Sequence, residues 1–197
     1  MKSNSRSKAV LAVLLAISLL ATGCSAQWIS VALADLPVLV QMALNIGTIV
    51  TTLQAGQQLS AADAAAIQNI SNEASKDLNL LQALYNDYKT TANATTIQKI
   101  QGVIADINSN LPALLQAAHI SNAALSTRIT AAVNLILATV NSFASLIPTA
   151  GAASVHAQIA HQKVAVPHAE DLKKQWNQQI CAPTGPGRSQ LAGCMVK

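Results

Sequence analysis

The chain has 197 residues, of which 51% are hydrophobic, 3% aromatic and 10% charged, with 12 Lys and Arg against 8 Asp and Glu. Ample apolar content with little charge excludes a disordered polyelectrolyte and describes helices kept soluble by Asn, Gln, Ser and Thr. The formal charge of +4 overstates the basic character, because Lys2, Arg6 and Lys8 cluster at the start and nine basic against eight acidic residues remain beyond them. Lys76, Lys89, Lys99 and Arg128 are spread without a stripe, so nucleic acid is not an expected partner, and the length suits one domain.

The first residues divide into a basic stretch, Met1 to Lys8, an apolar run, Ala9 to Leu20, interrupted by Ser18 alone, and a small-residue tail, Ala21-Thr22-Gly23-Cys24. The run falls short of the roughly 20 apolar residues that span a bilayer and matches the hydrophobic region of a secretory signal. Small residues leading directly into a cysteine resemble the lipobox of bacterial lipoproteins. Ala21 stands where that pattern favours Leu, with Leu20 one place earlier, and the resemblance covers the leader alone. It implies a signal peptide, 1–23, cut at the Gly23–Cys24 bond, a diacylglyceryl group on the Cys24 sulfur and an acylated new amino terminus. Each buried CH₂ contributes about 0.8 kcal/mol, so several palmitate-like chains retain a protein that one chain would release. Ser25, in place of Asp after the lipidated cysteine, implies sorting to the outer membrane in a cell that has one.

Residues 24–29 then read as anchor and tether, and 30–148 as a helical bundle. The first helix is expected over Ser30 to Leu53, with Asp35 capping it ahead of Pro37 or Pro37 kinking a longer helix. Gln41, Asn45, Thr48 and Thr52 make one narrow polar stripe on an otherwise apolar surface, so this helix is either central in a bundle or pressed against lipid. Ala55-Gly56-Gln57-Gln58 breaks it. Ser60 caps a second helix with Asp63 in its first turn, and Ile67, Ile70, Ala74, Leu78, Leu81, Leu84 or Tyr85, and Tyr88 recur at threes and fours. After a turn at Thr90 to Ala94, Thr95 through Gln98 has capping-box spacing. Ile97, Ile100, Ile104, Ile107, Leu111, Leu114 and Ala118 form a heptad seam that Pro112 interrupts. Ser121 is the expected cap of a fourth helix, whose seam runs Leu125, Ile129, Ala132, Ile136, Val140, Phe143 and Ile147 up to Pro148. Short connections between long helices predict an all-α fold, an up-down-up-down four-helix bundle. The likeness of Asp35-Leu36-Pro37-Val38-Leu39-Val40-Gln41 to Asn110-Leu111-Pro112-Ala113-Leu114-Leu115-Gln116 is a weak sign of a duplicated helical hairpin and favours paired hairpins over other helical layouts.

Residues 149–197 read as linker, short helix and cysteine loop, the helix spanning Ala169 to Ile180 with Glu170 and Asp171 first and Trp176 available to pack on the bundle. With Cys24 lipidated, Cys181 and Cys194 remain, an even number in a compartment that permits disulfides, bracketing a turn-rich stretch. A bridge is the preferred reading over free thiols, since no CxxC spacing is present.

Chemistry is sparse in this sequence. No GxSxG, GxGxxG or GxxxxGK[ST] occurs, and Asp63, Glu73, Asp77, Asp87 and Asp106 read as solvated helix-surface carboxylates. His156, His161 and His168, with Cys181 and Cys194, are the sharpest metal candidates, yet spacings of five and seven do not suit a compact site; no metal or cofactor is expected. His119 reads as a helix-end residue, and Tyr85 and Tyr88 share one helix edge. The resulting expectation is a non-enzymatic, lipid-anchored envelope protein whose bundle acts as a structural or protein-interaction module, with the membrane and an envelope protein as partners. The alternative is a carrier of a lipid or other apolar ligand, in a cavity beside Leu44, Ile104 and Ile136. Membrane insertion of Val31–Val50 is a third reading, opposed by Asp35, Gln41 and Asn45. The heptad seams can close within one chain or between chains.

Overall fold

The computed structural model describes residues 27–55, 59–147, 168–182 and 194–197. Gly23, Cys24, His156 and His161 lie outside the described residues. Within them are four long helices, α1 (Gln27–Ala55), α2 (Ala61–Thr90), α3 (Ala94–Ala117) and α4 (Ala123–Leu146), and a short α5 (Ala169–Trp176) that continues into one π turn, Asn177–Cys181. No described residue is in a strand. Helix α1 packs on α2, α2 on α3, α3 on α4 and α4 back on α1, so the four long helices close around one core. Helix α5 lies against α1, and its π turn against α4.

Most positions of the expected seams are buried, and Ile97, Leu114 and Ala118 of the third are half-buried. Ile67, Ile70, Ala74, Leu78, Leu81 and Tyr85 face inward from α2, as do Ile100, Ile104, Ile107 and Leu111 from α3. All seven expected positions of the fourth seam, Leu125 through Ile147, are buried as well. Tyr85 meets Phe143 edge to face at 6.5 Å between ring centroids, which assigns it to the core, while Tyr88 is only half-buried.

Helix starts follow side-chain oxygens, with two corrections. Ser60 caps α2 as expected, accepting from the Asp63 N–H at 3.0 Å. Helix α3 is capped by Asn93, whose Oδ1 accepts from the Thr96 N–H at 2.7 Å, and not by Thr95. Thr96 is thereby turned inward and donates to Asp87 Oδ2 at 2.9 Å. Helix α4 is capped by Asn122, not Ser121, through a 3.1 Å bond from the Leu125 N–H. In both cases Asn, among the best capping residues, starts the helix, and the neighbouring hydroxyl is left for a tertiary bond. Just before that cap, His119 takes a left-handed backbone conformation (φ 40°) that ends α3 where glycine is the usual residue.

Neither proline ends its helix. Pro37 lies inside α1 and Pro112 inside α3, so Asp35 does not cap α1, and α1 begins at Gln27, taking in residues assigned to the tether. Proline removes one N–H and frees the carbonyl four residues back, here that of Leu33 or Asn108, both of which retain solvent access. The two similar segments share this solution: Leu36 and Leu111 are buried, and each following proline is turned outward.

Gly47 marks the closest approach of α1 and α2. A Cβ there would stand 2.9 Å from Ser71 Oγ, which is held by its own 2.8 Å bond to the Ala43 carbonyl. Gly102 is exposed, and a Cβ there would meet nothing within 4 Å. Gly102→Ala is therefore expected to stabilise the fold by about 0.5–1 kcal/mol. Gly47→Ala is expected to destabilise it by about 1 kcal/mol or more, the overpacking exceeding the helix-propensity gain. Urea unfolding of both variants measures the contrast. His119→Gly should add about 0.5–1 kcal/mol by relieving its positive φ.

Candidate functional site

The polar stripe of α1 is where the C-terminal segment docks. Asn45 is buried, and its Nδ2 donates to the backbone carbonyl of Cys194 at 2.9 Å. Gln41 Nε2 donates to Asn45 Oδ1 at 2.9 Å and fixes the orientation of that amide. The same Cys194 carbonyl accepts from Trp176 Nε1 at 2.8 Å, so one oxygen joins α1, α5 and the chain end. Asn177 pairs twice with Val196, at 3.0 Å through Nδ2 to its carbonyl and at 3.0 Å from its N–H to Oδ1. Cys181 and Cys194 are joined in a disulfide with Cα atoms 5.6 Å apart. Arg128 of α4 adds a 2.9 Å bond to the Ala182 carbonyl. Closing a loop of this size contributes about 3 kcal/mol in the chain-entropy model. The π turn places Ile180 and Cys181 inward, beside the buried Trp176.

At its other end α5 is held by Asp35. This side chain is 1% exposed, and its carboxylate lies near the Ala169 backbone N–H at the start of α5. His168, in the N-cap position, makes no side-chain capping bond, and the acid on α1 is placed near the positive end of α5. Among the described residues, Asp35 Oδ2 has no hydrogen-bond partner. Burial pushes the carboxyl above its ordinary range, opposed by the nearby His168 charge and the Ala169 N–H.

Two further acids leave the surface positions expected of them. Asp63 is buried and accepts from both the hydroxyl and the backbone N–H of Ser121, tying the start of α2 to the turn before α4. The Ser121 hydroxyl bond chiefly holds its carboxyl below the usual range, against the effect of burial. Asp77 is also buried, with Oδ2 unpartnered; desolvation, then repulsion from Glu73, raises it, the Lys76 charge opposes, and Asp106 adds to the rise. Lys76 bonds Glu73 at 3.1 Å. The expectation of solvated carboxylates fails for Asp63, which Ser121 binds from the turn before α4, and for Asp77, which is buried facing Asp106 of α3.

Of the metal candidates, Cys181 and Cys194 are consumed by the disulfide and His168 is exposed beside Asp35. Among the described residues no three His, Cys, Asp or Glu side chains are grouped to hold an ion. The three residues beside which a ligand cavity was expected do not converge: Leu44 is 47% exposed, whereas Ile104 and Ile136 are buried. Sequence reading placed the disulfide but missed Asn45 and Asp35 as docking residues; the signal available was their polarity on an otherwise apolar helix. No protein-family model, no curated protein and no solved structure matches this chain.

Asn45→Ala is expected to cost about 1–2 kcal/mol, the loss of a buried hydrogen bond, in urea unfolding. Asp35 carries a pH signature. Its folded form holds the proton more tightly than the unfolded chain, so its contribution is full below the ordinary carboxylate range and is lost as pH rises through the raised folded value. Asp35→Asn, which resembles the protonated acid, should leave stability nearly unchanged near pH 4 and raise it by about 1 kcal/mol near pH 7. Urea midpoints of both proteins at the two pH values give the comparison.

Proposed function

We propose that this protein is a non-enzymatic, lipid-anchored component of the bacterial envelope, held in the membrane through acylated Cys24, whose bundle serves as a structural or protein-interaction module. The observation that carries the reading is the leader: basic residues, a short apolar run, then Ala21-Thr22-Gly23-Cys24 directly ahead of a folded helical domain. The Cys181–Cys194 disulfide supports it, because such bridges persist outside the reducing cytosol.

The character of the interior favours a module over a carrier. Leu36, Leu39, Met42, Ile46 and Ile49 of α1 have no exposed surface, nor do Tyr85, Phe143 and Trp176, so core positions are covered by the chain's own side chains. Among the described residues, two helical segments, Ile29–Val50 and Ala123–Leu146, are long and apolar enough to cross a membrane. Both contribute buried faces to the bundle, which accounts for their composition without insertion. Alternating helix directions belong to this reading. They are supported by the Asp63–Ser121 link near the starts of α2 and α4, and by the Tyr85–Phe143 contact near the ends of both.

Mass analysis of the mature protein from membranes tests the anchor. The expected amino terminus is Cys24 bearing diacylglyceryl and an amide-linked acyl chain, and Cys24→Ala should release the protein from the membrane fraction. An unmodified cysteine, or full membrane retention of Cys24→Ala, overturns the reading. A non-covalent lipid at one per chain would replace the module with a carrier.

A further inference from the structure

We propose that the bundle stands end-on against the lipid surface with no tether, its α2–α3 turn facing the headgroups. The inference rests on acylation of Cys24. Only Ser25 and Ala26 separate Cys24 from Gln27, the first residue of α1, a reach of about 10 Å even at full extension. Helix α1 itself is about 40 Å long at 1.5 Å per residue, so one end of the bundle must lie at the anchor and the other far from it.

Contacts identify which end is near. Ala43 of α1 meets Ser71 of α2, and Gly47 meets Ser71 and the earlier Gln68, so α2 is approached backwards as α1 advances. The start of α1 therefore lies beside the end of α2 and the Thr91–Asn93 turn into α3. Phe143, through its contact with Tyr85, brings the end of α4 to the same face. The α3–α4 turn around His119 is bound through Ser121 to Asp63 at the opposite end.

The near face suits a headgroup surface. Thr90 through Thr95 are exposed and uncharged, so approach to the membrane desolvates no ion, and the exposed Lys89 beside them is attracted to anionic lipid. Asp87, the acid closest in sequence to this turn, is engaged by the Thr96 hydroxyl.

The test uses full-length protein purified from membranes and reconstituted in phosphatidylethanolamine–phosphatidylglycerol vesicles carrying a headgroup nitroxide. One added reporter each, Ala92→Trp at the near end and Ala124→Trp at the far end, is placed at an exposed position in a Trp28→Phe background, and quenching of the buried Trp176 is measured in that background alone and subtracted from both. Quenching of the Ala92 reporter should exceed that of the Ala124 reporter by roughly twofold or more, given a separation set by the helix length. Inserting about 20 Gly and Ser residues between Ala26 and Gln27, which adds roughly 25 Å of flexible reach, should abolish the difference. Equal quenching of the two reporters in protein whose acyl mass is verified overturns the end-on placement and leaves the anchor standing. Absence of acyl mass and of vesicle binding overturns both.

Discussion

Helix α1 is apolar on nearly every face, and a helix of that kind has to be covered from several directions at once. Its buried residues, including Ala32, Leu36, Leu39, Met42, Ala43, Ile46 and Ile49, do not fall on one stripe, so a single neighbour cannot shield them. Helix α2 covers one side, α4 a second and α5 a third. Closure of the four long helices and recruitment of the C-terminal segment are two answers to the same demand. The narrow polar stripe sits where the cover is made of backbone: Asn45 gives the buried Cys194 carbonyl a second donor beside Trp176 Nε1.

Low charge shapes the rest. Of eight acidic residues, Asp35, Asp63 and Asp77 are buried, and each is supplied differently. Asp63 has Ser121 bonded to it and is stabilised as the anion. Asp35 has an N–H and a histidine against the cost of burial, and burial prevails. Asp77 meets other carboxylates along with its desolvation. The unfavourable terms are thus concentrated at two places, the α1–α5 contact and the α2–α3 seam. The first is the contact by which the C-terminal segment is held, so its strength depends on proton concentration while the disulfide at the other end does not.

Hydrophobic periodicity carried most of this architecture in legible form. The four long helices, their seams and the cysteine pair follow from local spacing, because burial of a stripe at threes and fours leaves a regular trace in one stretch of chain. What was not legible depends on residues distant in sequence. Asp35 was read as a helix cap, but it lies inside α1, and the helix start near its carboxylate is that of α5, far along the chain. Asn93 and Asn122 displaced Thr95 and Ser121 as caps because adjacent capping residues compete; Ser121 was drawn to Asp63 across the bundle, while Thr96, next to the displaced Thr95, bonds Asp87. Leu44 was assigned inward from its neighbours' character, although an apolar helix still has an outside. Cys24, Gly23 and two of the histidines lie outside the described residues, so the leader contributes through its sequence pattern alone.

The dependence of α1 on the C-terminal segment is the claim on which the account turns, and backbone hydrogen exchange of the oxidised protein and its Cys181→Ser/Cys194→Ser variant tests it most directly. The expected result is loss of protection throughout α5 and in α1 between Asp35 and Asn45, with the packed α2–α3 pair keeping its protection. Unchanged protection of α1 in the variant would contradict it, and would mean that the long helices cover α1 without help from the chain end.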